Sequence, residues 1–250
     1  MTYEAASDGG PQSKFERDCN DPKKELVYDF EPDSQTLVIA FGGFAGRLGI
    51  PSYEFFQSVS SLAVKRMFLR DRRSCWYQRG IDGVGEGVDG LRDALAELIS
   101  ESGVERTVTV GNSGGGYAAL LFGHLLDVHE VHSFVPMTNI DPDVRYSFGD
   151  QRCKRETGKM IERGWLDPCY ADLRAVLLDG DESRTGTSHV YYSRHVRVDR
   201  VHAERLRDAK HVVLHERDER GHSLIRQLRD KGELQPLLER AALNWPGTDR

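Results

Sequence analysis

The sequence predicts an α/β fold, a mostly parallel sheet with helices on both faces. Three observations predict it. First, short β-branched or apolar runs alternate with stretches of helical periodicity from about residue 25 to 240. Second, the run Thr36-Leu37-Val38-Ile39-Ala40-Phe41 is nearly continuous in apolar residues, as strands covered on both faces are. Third, Thr107–Leu121 reads as a short strand, a glycine-rich turn and an apolar helix, the local form of a crossover between parallel strands.

Taken in order, residues 1–24 are polar, rich in Asp, Gly, Ser and Lys, and are expected to be disordered or loosely attached. Residues 25–250 are expected to form a single domain, a length that can bury its own core. Leu26–Phe30 alternates and predicts a strand, with Glu31-Pro32-Asp33-Ser34 as a turn. The strand Thr36–Phe41 ends in the glycine-rich stretch Gly42-Gly43-Phe44-Ala45-Gly46. A helix is expected after Pro51, through Tyr53 to about Ala63, then a strand over Lys65–Leu69. Trp76 and Tyr77 sit in a loop ending at Gly80. The spacing of Val88, Leu91, Ala94, Leu95, Leu98 and Ile99 puts one helix face on the core. Tyr117–Leu126 is apolar almost all round and so predicts a buried helix. A strand follows over Val131–Pro136. Residues 138–169 are polar and poorly periodic, a small lid or a surface excursion. Further elements are a helix over Asp172–Leu178, a strand over Ser188–Ser193, a helix over Val201–Leu206 and a strand over His211–His215. Two terminal helices, Ser223–Leu228 and Leu234–Leu238, flank Gly232.

Gly111-Asn112-Ser113-Gly114-Gly115 has the form G-x-S-x-G with Ser113 at the apex. Such a turn lifts a serine hydroxyl above the sheet edge and aims the next backbone N–H groups at whatever the serine attacks. Each glycine in the first helical turn costs about 1 kcal/mol against alanine. A local rule broken inside a consistent pattern marks a functional site. Strand–glycine–helix junctions also bind phosphates, but a dinucleotide loop needs a glycine where Ser113 stands. Gly85–Gly90 matches that glycine pattern formally, yet follows a loop rather than a strand.

A serine hydroxyl needs a base to take its proton and a third group to orient the base. His222 lies in Arg220-Gly221-His222-Ser223, just past the last expected strand, where α/β sheets hold reacting groups. Asp199 is the only carboxylate between the preceding strand and the helix carrying Glu204. Its alternative role is to cap the helix expected from Val201. Asp179, Asp181 and Glu182 precede that strand and belong at its other end. Two backbone donors are needed for an oxyanion: Gly114 for one, and Phe44 or Gly43 for the other. Trp76 and Tyr77 are candidates to line an acyl pocket, or are ordinary packing.

Lys and Arg total 34 and Asp and Glu 40, a net charge of −6, so nothing electrostatic points to nucleic acid or an anionic membrane. The absence of an 18-residue apolar run and of a leader pattern leads to a cytoplasmic expectation, with no membrane span. The four cysteines form no C-x-x-C pair. No H-E-x-x-H occurs, and His129, His132, His211 and His215 are expected to be solvated or hydrogen-bonded rather than ligands, so no metal and no cofactor is expected.

On the Gly42-Gly43-Phe44 loop, the Gly111–Gly115 turn, Asp199, His222 and their order, the chain resembles the α/β-hydrolase family over about residues 25–240. It is similar to a bacterial subgroup of small, poorly characterised members. That likeness rests on Phe68-Leu69-Arg70-Asp71 with Trp76-Tyr77, on Gly115–Gly123 and on Asp199–Leu206. The resemblance implies a serine hydrolase with Ser113 as nucleophile, His222 as base and Asp199 as acid. It implies acyl-enzyme chemistry on an ester or thioester, no cofactor and a small or absent cap. The substrate is then a small or acylated molecule. Acyltransferases use the same machinery, and a non-catalytic binding protein of this fold is the remaining alternative. Many members place the acid nearer the strand end, where this chain has Arg194, His195 and Val196.

Overall fold

The structure is a computed structural model and describes residues 13–44, 53–178 and 185–245. Asp179, Asp181, Glu182 and the stretch 45–52 lie outside the described residues.

The first described element is α1 (Lys14–Asn20), started by a capping box between Ser13 and Glu16. Phe15 of α1 stacks on Phe56 with centroids 6.0 Å apart, so the polar composition of this stretch hides one apolar anchor. Then come β1 (Leu26–Asp29) and β2 (Thr36–Phe44). The helix expected after Pro51 is short, α2 (Phe56–Ser60), because Phe55 is left-handed at φ 64°. β3 (Lys65–Asp71), the hairpin β4 (Gly80–Ile81) and β5 (Gly85–Glu86), and α3 (Gly87–Ser102) follow. β6 (Arg106–Asn112) and α4 (Gly114–Leu125) flank Ser113, and β7 (Glu130–Phe134) comes next.

The aperiodic stretch 138–169 folds as α5 (Pro142–Ser147) and α6 (Lys154–Glu162), followed by α7 (Leu173–Leu178). It is no loose excursion: Arg145 is fully buried within it. β8 (Thr187–Ser193), α8 (Arg197–Glu204), β9 (Val212–Arg217), α9 (Leu224–Asp230) and α10 (Leu234–Leu243) complete the described chain. The helix expected from Val201 therefore starts one turn earlier, at Arg197.

Seven strands form the main sheet in the order β1-β3-β2-β6-β7-β8-β9. All neighbours are parallel except β1, which runs antiparallel to β3. The period of two along β2 divides the core. Leu37, Ile39 and Phe41 pack with Leu91, Leu95 and the body of α4. Val38 and Ala40 face the other side, against Val59, Leu228 and Leu238. Both faces are thus covered, as the apolar strand runs require. From β2 the chain goes outward to β3, then returns to β6 on β2's other side. The carboxyl ends of β2 and β6 border this switch point, where open α/β sheets present a crevice.

Candidate active site

Ser113 is the single residue between β6 and α4, at φ 54° and ψ −113°. A non-glycine residue at positive φ stores on the order of 1–3 kcal/mol of strain and persists only when its surroundings over-determine it. Here the Ser113 N–H donates to the Phe134 carbonyl at 2.8 Å, and its own carbonyl accepts from Tyr117 N at 3.0 Å. Close approach of the backbones explains the glycines. A Cβ at Gly111 would stand 2.0 Å from the Gly115 carbonyl oxygen, and one at Gly115 would stand 2.1 Å from that of Phe41.

His222 follows β9, in the loop before α9, and its Nε2 lies 3.2 Å from Ser113 Oγ. Its Nδ1 lies 3.0 and 3.1 Å from the two carboxylate oxygens of Asp199. An ionised carboxylate only accepts, so the imidazole proton belongs on Nδ1 and the Nε2 lone pair faces the serine hydroxyl. Asp199 stands in the first turn of α8 and is fully buried. It is not the cap of that helix: Val196 holds the N-cap, and the Asp199 carboxylate turns to His222 instead. At the strand end, His195 pairs with Asp218 on the surface at 2.7 Å. The structure thus brings together Ser113 from the β6–α4 turn, His222 from the loop after β9 and Asp199 from the first turn of α8.

Sequence reasoning missed what lies behind Asp199. Arg152, from the stretch between α5 and α6, donates from Nη1 to Asp199 Oδ1 at 2.6 Å. Its Nε and Nη2 form a fork on Asp150, at 2.8 and 3.1 Å. Arg152 Nη1 also lies 3.1 Å from His222 Nδ1. Both atoms are donors, so this short approach marks two N–H groups converging on one carboxylate rather than a bond between them. Asp150 is fully buried and further accepts from His202 Nε2 at 2.9 Å and Arg145 Nε at 3.3 Å. Burial alone would raise the Asp150 pKa, but hydrogen bonds from His202 and Arg152 outweigh it and hold the carboxyl below its ordinary range. Burial lowers the His202 pKa, and its Nδ1 accepts from Thr138 N at 3.0 Å, which fixes the proton on Nε2. No local pattern flagged Arg152 or Asp150, because charges in a polar stretch read as solvated surface.

The two loops that border the switch point are tied by Glu54. Its Oε2 accepts from Gly43 N at 3.3 Å and its Oε1 from Asn112 Nδ2 at 2.9 Å. Of the expected oxyanion donors, the Gly43 amide is therefore engaged. The Phe44 ring lies against Gly114, 3.3 Å from where a Cβ would stand. Trp76 packs edge-on against Phe44, with centroids 4.6 Å apart. Tyr77 donates its hydroxyl to the Gly42 carbonyl at 2.9 Å. Both rings are fully buried, so they brace the Gly42–Phe44 segment from behind instead of lining an open wall.

Burial pushes the Glu54 carboxyl up to about 7, against the opposing pull of Asn112 and Gly43. Its contribution to stability is full below the unfolded carboxyl's pKa and is lost as pH rises through the folded value near 7. Glu54→Gln is neutral at every pH and is expected to remove this dependence. Relative to wild type, the variant should gain on the order of 3 kcal/mol between about pH 4 and pH 8. Urea denaturation across that range measures the difference. A pH-independent offset between the two proteins would contradict the assignment.

No family model matches the chain, and no curated protein matches it in sequence. Solved structures do. One is the capsule O-acetyltransferase of Neisseria meningitidis serogroup A, at TM-score 0.62 and 15% identity over 83% of this chain and 89% of that one. An esterase from Pyrobaculum calidifontis matches at TM-score 0.57 and 14% identity, over 86% of this chain and 79% of that one. A 2,6-dihydroxy-pseudo-oxynicotine hydrolase matches at TM-score 0.61 and 14% identity, over 88% and 64%. With its mostly parallel sheet covered on both faces, the chain has the α/β-hydrolase fold.

Proposed function

From this fold and this constellation, we propose that the protein is a serine hydrolase acting on an ester or thioester through an acyl-enzyme. One observation carries the reading: a strained Ser113 whose hydroxyl meets His222 Nε2 at 3.2 Å while Nδ1 rests on buried Asp199. In the first half-reaction His222 takes the Ser113 proton as Oγ bonds to the carbonyl carbon. The carbonyl oxygen becomes an oxyanion facing the N–H groups of Gly114 and Phe44. On collapse the C–O or C–S bond breaks, and the leaving group takes the proton from His222 Nε2. Water then gives a proton to His222 and attacks the acyl carbon. Release of the acid returns the proton to Ser113 Oγ.

Acyl transfer to a hydroxyl acceptor differs only in what replaces that water. The likeness to a capsule O-acetyltransferase, over most of both chains, supports keeping it as the second reading. A fluorophosphonate probe tests the nucleophile. The wild-type protein is expected to add one phosphonyl group, seen by intact mass, and Ser113→Ala none. A folded wild type that stays unlabelled favours a binding protein of this fold. Comparing acid release with ester formation when acetylated esters and sugar hydroxyls are supplied together separates hydrolysis from transfer.

A further inference from the structure

A second group of chemistry-bearing side chains lies on β7 and β8, below the edge where Ser113 stands. His132 and His189 are register partners on these parallel strands, so their side chains share one face of the sheet. Glu130 lies two residues before His132 and shares that face. His132 Nε2 is 2.8 Å from Glu130 Oε1, and His189 Nε2 is 3.4 Å from the same oxygen. All three candidate ligand atoms fall within 4.8 Å of one another. We propose that Glu130, His132 and His189 form a binding site for a zinc-class divalent transition metal.

Four features carry this beyond mere proximity. At ordinary zinc bond lengths, ligand atoms of a tetrahedral site lie about 3.4 Å apart. The His189–Glu130 separation already matches this, and the His132–Glu130 pair needs to open by roughly half an ångström. Metal-bound histidines present their other ring nitrogen to a fixed partner. His132 Nδ1 lies 3.1 Å from the Tyr191 hydroxyl, and His189 Nδ1 lies 2.9 Å from His215 Nε2. Each ring thereby keeps its Nε2 beside Glu130 Oε1, and the two rings stack with centroids 5.0 Å apart, so a bound ion needs the rings to turn toward each other. Three protein ligands leave a fourth position, and the site is not sealed: the side chains of Glu130 and His189 are 20% and 22% exposed. Arg106 pairs with Glu130 Oε2 and leaves Oε1 facing the imidazoles. That cation offsets the single carboxylate, so the site selects for nitrogen-preferring ions, not for hard cations that need several oxygens.

The site neither uses nor touches Ser113, and its test does not depend on the hydrolytic reading. Protein stripped with chelator is titrated with zinc in competition with a chromophoric chelator. Cobalt is then added to read its ligand field in the visible spectrum. Wild type is expected to take up one equivalent of zinc, show the absorption of a four-coordinate nitrogen and oxygen site with cobalt, and ignore magnesium. His189→Ala and Glu130→Gln are expected to lose at least tenfold in zinc affinity, with circular dichroism reporting that each still folds. His195→Ala, a surface histidine paired with Asp218, serves as control and should bind as wild type does. The proposal is overturned if wild type binds no zinc, or if either folded variant keeps wild-type affinity. The wild-type measurement decides alone should a variant fail to fold.

Discussion

His222→Ala is expected to lower turnover of p-nitrophenyl acetate by on the order of 10⁴-fold or more while the melting temperature stays within a few degrees of wild type. Among the described residues, the His222 imidazole is what lies within hydrogen-bond reach of both Ser113 Oγ and the Asp199 carboxylate, so its loss leaves the hydroxyl without a base. At about one-third exposed, it contributes little packing. Ser113→Ala should fall as far, and the double variant no further, because groups acting as one unit give non-additive losses. Asp199→Asn should cost a similar factor by letting the imidazole take the wrong tautomer. Unchanged turnover in His222→Ala would sink the assignment of the base. Full loss in both single variants with a further large loss in the double would show that they act independently.

Arg152→Met is expected to destabilise the protein by about 3–5 kcal/mol, the usual cost of leaving buried charge without its partner. The guanidinium is the hinge of a chain running Arg145–Asp150–Arg152–Asp199–His222. Asp150 and Asp199 have no exposed surface, so neither recovers hydration when Arg152 goes. Turnover should also fall by about 10- to 100-fold, the range seen when supporting hydrogen bonds behind a functional group are lost. KM should hold, because the guanidinium of Arg152 bonds Asp150 and Asp199 rather than Ser113. Arg152→Lys keeps the charge but cannot offer a fork to Asp150 and a further N–H to Asp199 at once. It should therefore fall between wild type and Arg152→Met in both measurements. Equilibrium urea unfolding together with steady-state kinetics reads both effects. Wild-type stability in Arg152→Met would mean that the two aspartates find compensation elsewhere.

The chain's own residue order determined the sheet, its two-faced covering and the serine turn. These depend on local rules: apolar runs of strand length, helical spacing, and glycines where backbones must pass within about 2 Å of a Cβ position. The placing of His222 and Asp199 near Ser113 follows the same logic, because segments at strand carboxyl ends in a parallel sheet converge on one edge whatever their sequence separation. Tertiary structure alone decided how Asp199 is held. Asp199 has a cap-like position in sequence, and only the packing of α8 turns its carboxylate inward. Arg152 lies 47 residues from Asp199 and 70 from His222, in a stretch whose polarity gave no periodic signal. Burial makes that polarity meaningful, since a charge becomes costly, and therefore specific, only once water is removed from around it. The same holds for Glu130, His132 and His189. Sequence spacing kept the two histidines far apart and unremarkable, and strand register set them side by side on one face.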